Sequence, residues 1–460
     1  MEGNALQQLL DAAASKFGVV GAQLAVFDRG TLREFATGLR NSELGLPVTA
    51  DTVFQIGSTT KLFNASLVMS LVDSGKLALD IPVHEYLRDF RLADWEAQRS
   101  VTLRHLLSMS AGIDNGFYHD YGRGDDALGR YVAALAGMSH LFRPGTAFGY
   151  SNASSNIAGH VASRVMGRSW EELLAERMID PLALHSTVLF AEDLLAHPVA
   201  LGYTRDDMTA PPRRVRGWAL PRSCAPAGGT LCCSAGDLVR FARMFLDPGG
   251  GPQERRVLSA SAVEAMHVPQ VELPTRLMAQ QWCCGPYRKV WGGAAVYGHS
   301  GTTTGGSSML LWCPERQVAI ATVVNVAAQG YRLAEQIFDV VFPQVFGIQK
   351  PKVPEPEALE PREIEDPGRL VGRFEAFGAV VQVTWEGGRL FVTEDSDLNR
   401  MYGFEPVTRS ELIPLGGDRF FPRNPALSGN RLWDVAFWDA SRSGRATHYL
   451  GGIFAFRRTA

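Results

Sequence analysis

Apolar and polar positions along the chain fall into two regions with different periods. Near the N-terminus GAQLAVFDRG (21–30) and LREFATG (32–38) read as strands. DRGT between them predicts a hairpin turn. Helical spacing follows at 58–74, 102–109, 154–166 and 169–178, then at 235–246 and 259–267. Strand patterns return at 294–299, 307–313 and 317–325, with PERQ turning between the last two. Strands at both ends with helices between predict an antiparallel sheet closed by the two ends of the region. The helices become a subdomain inserted in that sheet, an α+β arrangement.

Beyond residue 350 the pattern changes. PKVPEPEALEPREIEDP (351–367) combines repeated prolines with acidic residues, the composition of an extended linker. After it AVVQVTW, GRLFVTE, ELIPL, LWDVAFWD and THYLGGIFAF alternate apolar and polar residues between Gly- and Asn/Asp-rich turns. That predicts a small all-β barrel or sandwich. The expected division is 1–348, a linker at 349–367 and a β domain at 368–460.

Composition narrows the classes. The chain has 460 residues and is 46% hydrophobic, enough for one large core and a smaller one. A net charge of −3 and no Lys/Arg run leave no footprint for nucleic acid. MEGNALQQLLDAAASKF has no basic opening and no long apolar run, so it does not read as a secretory signal. No uninterrupted apolar stretch reaches about 18 residues, so no membrane span is expected and the cytoplasm is the expected compartment. The six cysteines lack C-x-x-C spacing and read as buried thiols; no metal site and no cofactor are expected.

The candidate chemistry begins at GSTTK (57–61). Lysine is confined to Lys16, Lys61, Lys76, Lys289, Lys350 and Lys352, and Lys61 stands three residues after Ser58. Residues three apart share a helix face. The pair is either a polar helix start, with Ser58 as N-cap, or a hydroxyl beside its base. A serine nucleophile needs a neighbour to take its proton, and a lysine can do so only where burial or a positive field removes its own. Such a site also needs polar groups to hold the lysine and N–H groups for an oxyanion. FGYSNA (148–153) offers Tyr150 and Asn152 after a tight loop, and YGHSGTTTGG (297–306) follows a probable strand. There Gly301 leaves room for a substrate, and the N–H of Thr302 can join that of Ser58.

Ser58-x-x-Lys61, Tyr150-Ser151-Asn152 and His299-Ser300-Gly301, in this order, resemble the three motifs of the serine β-lactamase and penicillin-binding-protein family. The spacing is most similar to the branch with class C β-lactamases, D-aminopeptidases and esterases. TLRHLLSMSAGI (102–113) and APAGGTLCCSAGDLVRFA (225–242) also resemble segments of that branch. The resemblance spans roughly residues 10 to 345 and implies a β-lactamase-like fold with a lipocalin-like barrel appended. It implies that Ser58 is acylated, that Lys61 and Tyr150 move its proton, and that Asn152 orients Lys61. Ser300, Gly301 and Thr302 become substrate-binding residues, with His299 beside them. Many β-lactam-specialised relatives carry Lys-Thr-Gly where this chain has His299-Ser300-Gly301; a histidine titrating near its ordinary 6.5 supports a substrate carboxylate less well.

The expected activity is hydrolysis or transfer of an acyl group, from a donor that includes D-aminoacyl compounds. Stand-alone penicillin-binding-protein-type thioesterases offer an alternative. They resemble this chain in motifs and appended barrel, and cyclise nonribosomal peptides delivered by a peptidyl carrier protein. A non-catalytic binder of the same fold is a third reading, which retention of Ser58, Lys61 and Tyr150 disfavours. GTTTGG lacks the lysine of a phosphate loop, and no Gly-x-Ser-x-Gly elbow is present. His119 and Asp120 are candidates for a pocket rim rather than metal ligands. Trp282, Tyr287 and Trp291 are candidates for either an acyl pocket or the core.

Overall fold

A computed structural model of the chain describes residues 3–205, 210–217, 220–247, 256–352, 363–402, 405–424 and 433–460. The predicted N-terminal hairpin forms from Gly21–Asp28 and Thr31–Asn41, paired antiparallel with Leu24 opposite Phe35. The free edge of Gly21–Asp28 pairs with Val318–Val324, so the two ends of the region meet inside one sheet. The sheet has nine strands in the order Leu46–Pro47, Thr31–Asn41, Gly21–Asp28, Val318–Val324, Gly306–Cys313, Ala294–Thr303, Tyr287–Trp291, Gln281–Trp282 and Val271–Glu272. Every residue of Gly306–Cys313 and Val318–Val324 is buried, because helices cover both faces.

Two hydrophobic cores result, one on each face. The helices Thr60–Asp73, Asn152–Met166 and Ala235–Leu246 pack on one. Gly3–Lys16 and Ala327–Val341 pack on the other. Neither of these last two was among the predicted helices. In the second, Gly330 interrupts the helical pattern, a residue that weakens such a reading. The glycine is needed there: a Cβ would run into Ser307 Oγ and Val324 of the sheet. The helix survives because Leu333, Ala334, Ile337, Phe338 and Val341 are all buried against the strands.

Thr60–Asp73 has no solvent face. Its buried positions run unbroken from Thr60 to Leu71, as in a central helix rather than an amphipathic one. Asn64 is partnered inside, whereas Thr60 Oγ1 and Ser66 Oγ are buried without a hydrogen-bond partner among the described residues. Asn64 Nδ2 donates to Ser155 O at 3.0 Å, and Asn64 Oδ1 accepts from Trp170 Nε1 at 2.9 Å. Phe63 stacks on Phe241 with ring centroids 3.8 Å apart.

The C-terminal region is a closed barrel of eight strands from Gly372–Ala376 to Phe454–Arg458. Five strand-like runs were expected. THYLGGIFAF proves to be two strands, His448–Gly451 and Phe454–Arg458, joined at Gly452 with φ +61°. Phe374, Val383, Leu412, Phe420, Phe437 and Phe456 fill the interior. Of the expected linker, residues 353–362 lie outside the described residues. The barrel docks on the larger domain through Asp434, which is 0% exposed and accepts the N–H groups of Arg276 and Leu277. His448 Nε2 also lies 2.8 Å from Leu141 O. Among the described residues no helix is long and apolar enough to cross a membrane.

Candidate active site

Ser58 lies in a short 3-10 turn, Gly57–Thr59, that leads into the central helix. The helix N-cap is Thr59, and no side chain caps it, so Ser58 is not a helix-capping serine. Gly57 has φ +52°, a left-handed conformation that costs glycine little. The turn is pressed against Ala294–Thr303. A Cβ on Gly301 would collide with Ile56 O and stand 2.8 Å from Ser58 N. One on Gly57 would lie 3.0 Å from Thr302 N. Ser308 fixes the approach by donating to Ile56 O at 2.7 Å and meeting Thr59 Oγ1 at 2.7 Å. The strand runs to Thr303, four residues past the predicted 299, and so carries Gly301 and Thr302 alongside Ser58. This brings the main-chain nitrogens of Ser58 and Thr302 into the contact between turn and strand.

Lys61 is 2% exposed, and its Nζ lies 3.0 Å from Ser58 Oγ, 2.6 Å from Asn152 Oδ1 and 2.6 Å from Ala227 O. Burial holds its pKa well below the ordinary 10.5, opposed by the Cys224 thiol. As a free amine Lys61 has two N–H bonds, and the oxygens of Asn152 and Ala227 can only accept them. Its lone pair is then left for the Ser58 hydroxyl, the arrangement a general base requires. The orientation of Asn152 is also determined. Its main-chain N–H donates to Asn115 Oδ1 at 3.1 Å, and its Nδ2 donates to the same oxygen at 3.0 Å. Tyr118 Oη sits 2.6 Å from that Nδ2.

Tyr150 is 6% exposed, and Lys61 Nζ stands 4.9 Å from its ring centroid. Trp282 meets the rings of Tyr150 and His299 edge-on, at 5.7 and 5.5 Å. Trp282 is completely buried and Trp291 packs on Phe342, so both belong to the core. Tyr287 packs near His299 and reaches a cavity of about 40 Å³, which Ser300, Lys289, Met309 and Tyr331 also line. Thr302 Oγ1 meets Tyr331 Oη at 2.9 Å.

His299 departs from its expected titration near 6.5. It is 1% exposed, and burial first, with Lys61 beside it second, lowers its pKa to about 3. Nδ1 lies 2.7 Å from Ser300 O, which can only accept, so the proton sits on Nδ1. Nε2 has no hydrogen-bond partner, leaving a neutral acceptor in place of a cation.

All eight expected site residues thus gather around one turn. Four contributors were not singled out: Asn115, Tyr118, the Ala227 carbonyl and Tyr331. APAGG (225–229) gave a signal, as a segment resembling the same branch, and Asn115 and Tyr118 lie in the loop NGFYHDYGRGDD (115–126) that holds the rim candidates His119 and Asp120. His119 and Asp120 are exposed, and His119 packs on Phe117. Among the described residues no group of three His, Cys, Asp or Glu could hold a metal, and the six cysteines are buried and free.

The chain is similar to several known proteins. Penicillin-binding protein 4 of Amycolatopsis lactamdurans is 38% identical over 377 residues, covering 81% of this chain and 97% of that protein. The crystal structure of SurE matches with a TM-score of 0.82 and 29% identity, covering 99% of both chains. A structure of SurE with D-Leu matches with a TM-score of 0.78 and 30% identity, again covering 99% of both. The model of the β-lactamase family matches residues 6–340, and the chain belongs to that family of serine hydrolases.

Proposed function

We propose that the protein is a serine acyl enzyme acting on ester, thioester or amide donors with a D-residue at the acyl end. The observation that carries this is the set of three partners on Lys61 Nζ, two of them pure acceptors and the third Ser58 Oγ. In this reading Lys61, with Tyr150 beside it, takes the serine proton as Oγ attacks the acyl carbonyl. The proton passes to the leaving group as the tetrahedral intermediate collapses. The N–H groups of Ser58 and Thr302 hold the oxyanion. Asn152 keeps Lys61 aimed, and the second lone pair of its Oδ1 can accept the substrate's amide N–H. Ser300 and Gly301 line the strand along which the donor lies. His299 supplies a neutral acceptor, which suits an uncharged peptide better than a carboxylate. The D preference is supported by the likeness along the whole chain to SurE, which was solved with D-Leu.

A second reading concerns the acceptor. A barrel docked at the tyrosine motif walls that flank of the site, which favours a peptide substrate folded back on its acyl-enzyme. The peptide's own amine then replaces water and a macrocycle leaves, the donor having come from a peptidyl carrier protein. The test offers a peptidyl thioester ending in a D-residue, its L-epimer, and a peptide of the same sequence lacking the N-terminal amine. Consumption of the D-donor at least about tenfold faster than the L-donor is expected for the first reading. Equal rates would refute the D preference. Linear acid alone would refute cyclisation, and a product lighter by one water would support it.

A further inference from the structure

The barrel meets the tyrosine motif directly on one flank and through Asp114 on the other. On one flank Tyr150 N donates to Ile453 O at 3.0 Å, and the Phe454 ring meets Tyr150 edge-on at 5.8 Å. Gly149 lies so close that a Cβ there would stand 3.0 Å from Ala455 Cβ. On the other flank stands Asp114, 1% exposed. Its Oδ2 accepts the N–H of Phe377, in the barrel turn between Gly372–Ala376 and Ala379–Glu386, at 2.8 Å. Its Oδ1 accepts Asn115 N at 2.7 Å, and its carbonyl accepts Ser151 Oγ at 3.0 Å. Asn115 in turn holds Asn152 by two hydrogen bonds, and its carbonyl accepts Ala153 N at 3.0 Å. A continuous chain of hydrogen bonds therefore runs from the barrel turn through Asp114, Asn115 and Asn152 to Lys61 and Ser58.

We infer that the barrel is a working part of the active site: through the Phe377 N–H on Asp114 and the Ile453 carbonyl on Tyr150 it positions Tyr150-Ser151-Asn152, and so Lys61. Asp114 is a positioning residue, since it touches neither Ser58 nor Lys61 but sets the loop that aims Asn152. The inference rests on the reading of Ser58 as an acylated residue. A misplacement of about 1 Å in a catalytic group can cost about a hundredfold in rate. The carboxylate is also suited to hold its two N–H partners. It is acceptor-only when ionised and is enclosed on both sides.

The turn permits a selective test in the full-length protein. Gly378, at φ +68°, fits the third position of a type II turn, and proline is favoured one residue earlier. Phe377→Pro therefore deletes one N–H while keeping the turn, and Phe377→Ala deletes the ring while keeping the N–H. Labelling of Ser58 by a fluorescent phosphonate is followed as a rate constant and, separately, as the fraction labelled. Melting temperature is measured alongside. Phe377→Pro should label about ten- to a hundredfold more slowly, with its pH midpoint moved to higher pH as water reaches Lys61. Phe377→Ala should remain within about twofold of wild type. A merely structural role would lower the fraction labelled and leave the rate constant and midpoint alone. Equal rate constants for the two variants would overturn the inference while leaving Ser58 acylation intact. Failure of wild type to label would overturn the acyl-enzyme reading itself. If Phe377→Pro does not fold, Asp114→Asn, which leaves the barrel turn untouched, carries the same expectation. A wild-type rate and midpoint in Asp114→Asn would contradict it.

Discussion

Lys61 has two N–H bonds to give as a free amine, and Asn152 Oδ1 and Ala227 O receive them. That arrangement makes the role of the side chain depend on losing a proton rather than on carrying a charge. Lys61→Arg keeps a cation of similar length but one that does not deprotonate, so acylation should fall at least about a hundredfold. Rates near wild type for the arginine variant, by phosphonate labelling, would remove Lys61 as the base. His299 makes the opposite prediction. Because burial lowers its pKa to about 3, it stays neutral across pH 5 to 8. His299→Gln, still a neutral acceptor, should leave the pH midpoint of labelling unchanged even if the rate falls. Ser58, Lys61, Tyr150 and Asn152 were legible in the sequence because their order and spacing recur as motifs. Asn115 and the Ala227 carbonyl were not, since a supporting amide and a main-chain oxygen carry no spacing of their own.

At the scale of elements, the site depends on how closely one strand approaches one turn. Ala294–Thr303 reaches Ser58 only because Gly301 has no side chain. Gly301→Ala should push strand and turn apart and cost about 10²- to 10³-fold in kcat, as for loss of an oxyanion donor. A crystal structure of the variant with the Ile56–Ser308 bond intact and wild-type kcat would refute that dependence. The central helix makes a matching demand on stability. Phe63→Ala, which removes a ring stacked on Phe241, should destabilise the fold by about 3–5 kcal/mol in denaturant titration. The hairpin, the helices Thr60–Asp73, Asn152–Met166 and Ala235–Leu246, and the three late strands were legible from their apolar residues. The end of the glycine-bearing strand and the helix containing Gly330 were not. There the glycine serves a close approach between elements, which one element's pattern cannot reveal.

For the whole molecule, the barrel and the larger domain share a buried carboxylate. Burial raises the Asp114 carboxyl from its ordinary 3.8 to about 6, with the N–H groups of Phe377 and Asn115 pulling it back. A carboxyl whose folded pKa is raised contributes stability that is complete below about pH 4 and is lost as pH rises through about 6. The stability difference between wild type and Asp114→Asn should therefore change by about 2 kcal/mol between pH 4 and 7, wild type being favoured at the acid end. A difference independent of pH would show that Asp114 is not buried between the domains. The alternating tail marked a β domain, but the place where it docks was not legible. Docking rests on Asp434, Phe377 N–H and Ile453 O, two of which are main-chain atoms. The most direct measurement is the intact mass of the full chain after treatment with an aryl phosphonate bearing a D-residue side chain. One adduct is predicted, on Ser58 by peptide mapping, formed slowly in Lys61→Arg and absent from Ser58→Ala. An unmodified wild-type protein, or an adduct on any other residue, would contradict the proposed chemistry.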